Sequence, residues 1–199
     1  MTGNSRSAQK EISRNRILDV AAKAIRRDGY AGVGVADVMS KAGLTHGGFY
    51  AHFESREMML AAALERAGEL GAEVLASRIA DRCANGDTAV AALVETYLAD
   101  ANLASPEMGC PVAALASEMP RQADQLRDAS CRQVQGLLKM VKAALPSGSA
   151  AAVMASTMVG ALQLARTLGN NAKGKAHLAA VRKALIDQYD IDLADKTRR

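Results

Sequence analysis

Residues 35–53 read VADVMSKAGLTHGGFYAHF, and their pattern decides the fold. Val35, Val38 and Met39 recur at helical spacing and give a short helix a core face. Gly43 ends that helix with the residue best suited to a left-handed turn. Leu44 and Thr45 then start another helix. Thr45 is a good N-cap, because its hydroxyl can accept from a backbone N–H one turn on. Leu44 and Phe49 fall at the N′ and N4 positions, where side chains pack as a hydrophobic staple. Two short helices joined by a tight glycine-containing turn make a helix-turn-helix.

Counted from Thr45, Gly47 and Gly48 are N2 and N3. Glycine costs about 1 kcal/mol relative to alanine in a helix interior. The cost is smaller in a first turn, where the N–H groups lack intrahelical acceptors. A bare, positive helix N-terminus admits a phosphate or a base edge. In helix-turn-helix proteins the second helix enters the major groove with its N-terminal residues at the bases. The same two glycines would also serve to relieve a clash with a neighbouring helix, a purely structural explanation.

The rest of the chain agrees with helices. Of 199 residues 49% are hydrophobic but only 3% aromatic, with no Trp and four Pro. That composition favours an all-α fold with close helix contacts, and the chain is long enough to bury a sizeable core. Apolar periodicity and Gly/Pro punctuation predict about nine helices, over 10–28, 35–42, 45–52, 55–83, 88–104, 111–119, 120–145, 150–168 and 175–189. A three-helix unit, 1–55, would precede a larger helical domain, 56–199.

The net charge is +4, and its distribution is uneven. Arg6, Lys10, Arg14, Arg16, Lys23, Arg26 and Arg27 are opposed over that stretch only by Glu11 and Asp19. A basic first helix suits a polyanionic partner, and a solvated charged face accounts for the charge alone equally well. Cys83, Cys110 and Cys131 show no C-x-x-C spacing, against a disulfide framework or structural zinc. His46, His52 and His177 have no carboxylate or cysteine at ligand spacing, and no phosphate loop or nucleophile elbow appears. No metal, no cofactor and no catalysis are expected. The first fifteen residues hold no apolar stretch for a signal peptide. The uncharged run 143–165 reads as a buried helix and not a membrane span, which gives a cytoplasmic protein with no membrane partner.

Cys110 directly precedes Pro111, and proline favours N1, so Cys110 is an N-cap. Such a position stabilises a thiolate; a buried small hydrophobe is the alternative. Leu93, Tyr97, Met108, Met119 and Leu137 could line an apolar ligand pocket with Cys110, or be plain core. In the helix over 150–168, Gly160 and Ala161 allow close backbone approach, while Met154, Met158 and Leu162 can interdigitate. With the last helix this would form a dimer surface, a four-helix bundle.

Gly29-Tyr30 followed by VADVMSKAGLTHGGFYAHFESREMML, residues 35–60, resembles the DNA-binding domain of the TetR family of bacterial transcriptional repressors. Asp37-Val38 match its Asp-Ile pair, Ala42-Gly43-Leu44-Thr45 its Ala-Gly-Val-Ser turn. Gly47, Tyr50 and Phe53 match its Gly-x-x-Tyr-x-x-Phe, and Ser55-Arg56-Glu57 its Ser-Lys-Glu. The resemblance implies a homodimer on a palindromic double-stranded DNA operator, with a C-terminal domain that dimerises and binds a small-molecule inducer. It places Thr45 and His46 at the groove beside Gly47 and Gly48, with His46 reading a base. Tyr50 would contact phosphate through its hydroxyl, though it could instead pack in the core. Arg56 stands where a phosphate-binding Lys is usual, and Lys10 and Arg14 would neutralise phosphate. His52 occupies an often aromatic position and would contact phosphate or be a half-buried structural histidine. Val33 and Gly34 replace the Thr or Ser that often caps the motif's first helix. Some members sense electrophiles or oxidants through a cysteine before the sixth helix, which makes Cys110 the alternative sensor.

Overall fold

The computed structural model describes residues 3–146 and 150–190. Among these the chain is all helical, with nine α-helices: α1 Gly3–Asp28, α2 Val35–Lys41, α3 Arg56–Ala84, α4 Ala89–Tyr97, α5 Asp100–Ala104, α6 Pro111–Leu115, α7 Asp124–Ala144, α8 Ala151–Leu168 and α9 Ala172–Tyr189. Short 3-10 helices occupy His46–Ala51, Pro106–Met108 and Met119–Arg121. The helix expected over 88–104 is two. Thr88 caps the first, accepting from the Ala91 N–H at 3.1 Å. At the break, Asn102 Nδ2 donates to the Thr96 and Tyr97 carbonyls at 3.0 and 2.9 Å. Those are the orphan acceptors of a helix end. Pro120 sits in a 3-10 turn ahead of α7, not in the first turn of α7 itself.

The chain folds as two compact units. The first runs through Gly71 and includes Glu107–Gln133; the second comprises Ala72–Pro106 and the chain from Val134. Helices α3 and α7 are each divided between them.

In the first unit, Ile17, Leu18, Ala21, Ala22 and Ile25 of α1 are buried with Val38, Met39, Phe49, Phe53, Met59 and Leu60. Helix α1 begins well before residue 10, and residues 6–12 are all exposed. The basic run along α1 is not a single face. Arg26 is only 6% exposed; its Nε donates to the Ala22 carbonyl at 2.9 Å and its Nη1 to that of Gly109 at 3.0 Å. Burial holds its pKa below the usual value, opposed by the charges of Cys110 and Glu107. Leu18, Ala22 and Arg26 share i, i+4 spacing, so the position was marked as inward-facing by the pattern itself. Arg27 is engaged by Asp28 at 2.7 Å. The Glu118 carboxylate accepts from the Tyr30 N–H at 3.0 Å, just past the end of α1.

In the second unit, α8 packs on α9 and on α5. Met154 and Met158 are 0% exposed, Leu162 1% and Ala161 4%. These four expected dimer residues are therefore core residues of their own unit. Burying a methionine or leucine contributes about 1.5–3 kcal/mol, so this face holds α8 in place. The face left open carries Val153, Thr157, Gly160, Leu164 and Leu168, spaced as one helical stripe. Helix α8 is the one described helix long and apolar enough to cross a membrane by length and composition, with 39% of it buried. Its buried face makes it a core helix.

Candidate nucleic-acid interface

The helix-turn-helix is built as the sequence requires. Gly43 has φ +70°, a conformation that L side chains rarely adopt, and the turn closes with Leu44 N donating to the Met39 carbonyl at 2.9 Å. The second helix, His46–Ala51, is a 3-10 helix and not an α-helix. Gly48 N bonds the Thr45 carbonyl at 3.0 Å and His52 N that of Phe49 at 2.9 Å. A run this short with two glycines gains little from α-helical propagation. The Thr45 side chain makes no cap hydrogen bond; the backbone carbonyl of Thr45 does that work, and the hydroxyl stays exposed. Ser55 does cap α3, its Oγ accepting from the Met58 N–H at 3.1 Å.

The diglycine can now be weighed. A Cβ on Gly47 would meet nothing within 4 Å. On Gly48 it would lie 3.7 Å from Thr45 Oγ1 and 3.8 Å from Met39 Cε, ordinary contact. Neither glycine has positive φ. There is no internal clash for them to relieve.

Thr45, His46 and Gly47 are exposed, and Tyr50 is 74% exposed. Tyr50 is thus not a core residue; its ring stands edge-on to buried Phe49 at 5.3 Å. Phe49 in turn stacks on Phe53 at 5.8 Å. These two aromatics fix the 3-10 helix from beneath and leave its outer surface to small and polar groups.

The flank is basic. Arg14 lies with its guanidinium carbon 5.0 Å from the Phe53 ring centroid, a cation–π contact. Lys10, one turn earlier on α1, is exposed. His52 is half-buried beside them, and its Nδ1 has no hydrogen-bond partner. Burial first, then the charges of Lys10 and Arg14, hold its pKa below the usual histidine value. Arg56 is committed differently. Its Nε donates to the Val33 carbonyl at 3.0 Å and its Nη2 to that of Tyr30, with Nη1 3.9 Å from Glu57. It pins the α1–α2 turn where Gly34, the N-cap of α2, offers no side chain. Arg26, Glu118 and this role of Arg56 were not singled out from the sequence.

Residues 17–63 match the family model of the bacterial regulatory proteins, tetR family. Over those residues the chain is similar to the tetR-family domain. Solved structures match along nearly the whole chain. A TetR transcriptional regulator from Chloroflexus aurantiacus is 24% identical, with TM-score 0.72, covering 92% of this chain and 98% of its own. A TetR-family regulator from Agrobacterium tumefaciens is 20% identical, with TM-score 0.72, covering 90% and 98%. The reduced form of E. coli NemR is 20% identical, with TM-score 0.70, covering 86% and 95%. At these identities the likeness is one of fold. No curated protein matches in sequence. Residues 17–63 thus resemble the domain of bacterial regulatory proteins, and within them the bare 3-10 helix is the second helix of the helix-turn-helix.

Outside the tetR-family domain the other expected site residues fall in both units. Leu93, Tyr97 and Leu137 are buried in the second, at 0%, 2% and 6% exposure. Met119 is buried in the first and Met108 is 57% exposed. Cys110 is half-buried, whereas Cys83 and Cys131 are exposed. Cys110 is the N-cap of α6, next to Gly109, whose carbonyl accepts from the Arg26 guanidinium. Among the described residues no three His, Cys, Asp or Glu side chains are grouped as a metal site.

Proposed function

We propose that the chain is a ligand-responsive transcriptional repressor that binds a palindromic operator as a homodimer and is released by a small-molecule inducer. The empty space around Gly47 carries this reading. A residue that weakens a helix and relieves nothing in its own unit finds its reason in a partner lying against it. Residues 1–55 form the DNA-binding part and 56–199 the helical remainder that dimerises and takes the ligand. Thr45 and His46 contact bases while the backbone of Gly47 and Gly48 lies close to the groove. Tyr50, Lys10, Arg14 and His52 contact phosphate, and Arg56 fixes the turn that carries α2.

A palindrome needs a two-fold dimer. The surface offered for it is the α8 stripe of Val153, Thr157, Gly160, Leu164 and Leu168, in place of the buried methionines. The inducer is apolar, taken by the helical remainder, with Leu93, Tyr97 and Leu137 of the second unit as its candidate contacts. Its binding tilts α3 and changes the separation of the two recognition helices. The protein acts in the cytoplasm.

Selection of duplexes from a random pool by the purified protein tests the core of this reading. One palindrome, bound with steep salt dependence, is the expected outcome; unselective binding refutes it. Operator affinity is then measured with and without apolar ligands, and an affinity that none of them changes removes the inducer.

A second reading rests on Arg26. Its Nη1 donates to the carbonyl of Gly109, the residue before half-buried Cys110, and NemR, similar in fold, is a protein with a reduced form. Here the signal is alkylation or oxidation of Cys110 in place of a bound inducer. Cys110→Ser then abolishes the response of DNA binding to electrophile or oxidant; a variant that still responds makes Cys110 structural.

A further inference from the structure

Two cations and a histidine converge at the end of the recognition helix with no anion to meet them. Lys10 and Arg14 are one turn apart on α1, and Arg14 is held in place by the Phe53 ring at 5.0 Å. His52 directly follows the 3-10 helix, its main chain fixed by the Phe49 carbonyl at 2.9 Å. The charges acting on its imidazole are those of Lys10 and Arg14, both from α1. The neighbouring carboxylates, Glu11 and Glu54, are exposed and do not contribute. Arg56, at the start of α3, is turned to the Tyr30 and Val33 carbonyls. Among the described residues Lys10, Arg14 and His52 form no ion pair.

We propose that Lys10, Arg14 and His52 form one phosphodiester site whose occupation protonates His52, so that operator binding takes up a proton at each protomer. This rests on the DNA-binding reading and adds a regulatory variable to it. In the free protein, burial and the two neighbouring cations disfavour the imidazolium, holding the His52 pKa below the usual histidine value. A phosphate held among the three brings the missing negative charge and favours the imidazolium. The proton comes from solvent, and the diester itself does not titrate in this range. The sign follows from linkage: the bound form holds more protons, so affinity rises as pH falls from the bound-state pKa of His52 to its lower free-state value. Outside that window affinity is flat. Lys10 and Arg14 contribute at every pH, through counterion release.

The test measures anisotropy of a selected palindromic duplex with the full-length protein from pH 5.5 to 8.5 at fixed ionic strength. Wild type, His52→Gln and His46→Gln are compared, because His46 also lies at the groove. Wild type is expected to gain up to about tenfold in affinity per pH unit for each histidine, the limit for one linked proton. His52→Gln loses that slope, whereas His46→Gln keeps it. Calorimetry in two buffers of different ionisation heat gives the proton uptake directly. In wild type, the His52 ring resonances followed by NMR titrate at higher pH with duplex than without, a readout that needs no variant to fold. Tight selective binding with a flat pH profile, or a His52→Gln profile like wild type, overturns the proton-linked site and leaves the regulator intact. Absence of salt-dependent duplex binding overturns both.

Discussion

Gly47 and Gly174 occupy the same kind of place, the first turn of a helix, for opposite reasons. At Gly174 in α9 a Cβ would stand 2.1 Å from the Gly169 carbonyl oxygen and 2.9 Å from that of Ala165, with Leu103 at 3.2 Å. Asn171 draws this turn in, its side-chain oxygen accepting from the N–H groups of Lys173 and Gly174 at 2.8 and 3.4 Å. Only a hydrogen fits. At Gly47 the same Cβ would meet nothing. Gly160 makes a third case: it lies in the interior of α8, half-buried between exposed Thr157 and Leu164, and a Cβ there would also meet open space. The contrast separates glycine that the fold needs from glycine that only an outside partner needs. The partner proposed at Gly47 is a duplex, and the one proposed at Gly160 is a second copy of the chain.

The largest expected effect is at the inside end of the contrast. Gly174→Val forces the start of α9 off the end of α8 and costs about 3 kcal/mol, the upper range for overpacking. Urea unfolding measures it, and an unchanged midpoint breaks the comparison. Next comes Gly47→Leu, which leaves the urea midpoint near wild type and weakens the selected duplex about 100-fold, the size of a good base contact. Equal loss of stability and of binding would mean that the residue serves the fold after all. Gly160→Gln leaves the protomer folded and raises the dimer dissociation constant about tenfold, the scale of a central interface residue. Sedimentation over a concentration series reads it.

These variants also mark what was legible in the sequence. The helix-turn-helix was readable because its signals are local: Gly43 for a left-handed turn, Phe49 and Phe53 at core spacing, Ser55 as a cap. The exposure of the diglycine followed from position alone. Which face of α8 its own unit covers was not readable, because Met154 and Leu162 look equally fit for either side. Hydrophobicity names a helix with two apolar faces without saying which one its own unit covers. Gly174 was passed over as part of a loop, since its reason is a carbonyl five residues back in space as well as in sequence. Arg26 was counted with the basic face because charge outweighed its place in the buried stripe. Arg56 was assigned to phosphate by position, whereas its donors serve the Tyr30 and Val33 carbonyls, a contact between elements that no local pattern announces.

The smallest change gives the sharpest test. Gly47→Ala adds one methyl into open space at a position without positive φ. It reduces the entropy of the unfolded chain and should stabilise the protein by about 0.4–1 kcal/mol. The same methyl stands on the surface proposed to meet the groove, so duplex affinity should fall a few-fold while the urea midpoint rises. Opposite signs in the two measurements are required, because nothing within the protein opposes the methyl and only the duplex can. If both rise, the bare surface is not where the DNA lies, and the contact must be sought elsewhere along the basic flank of α1.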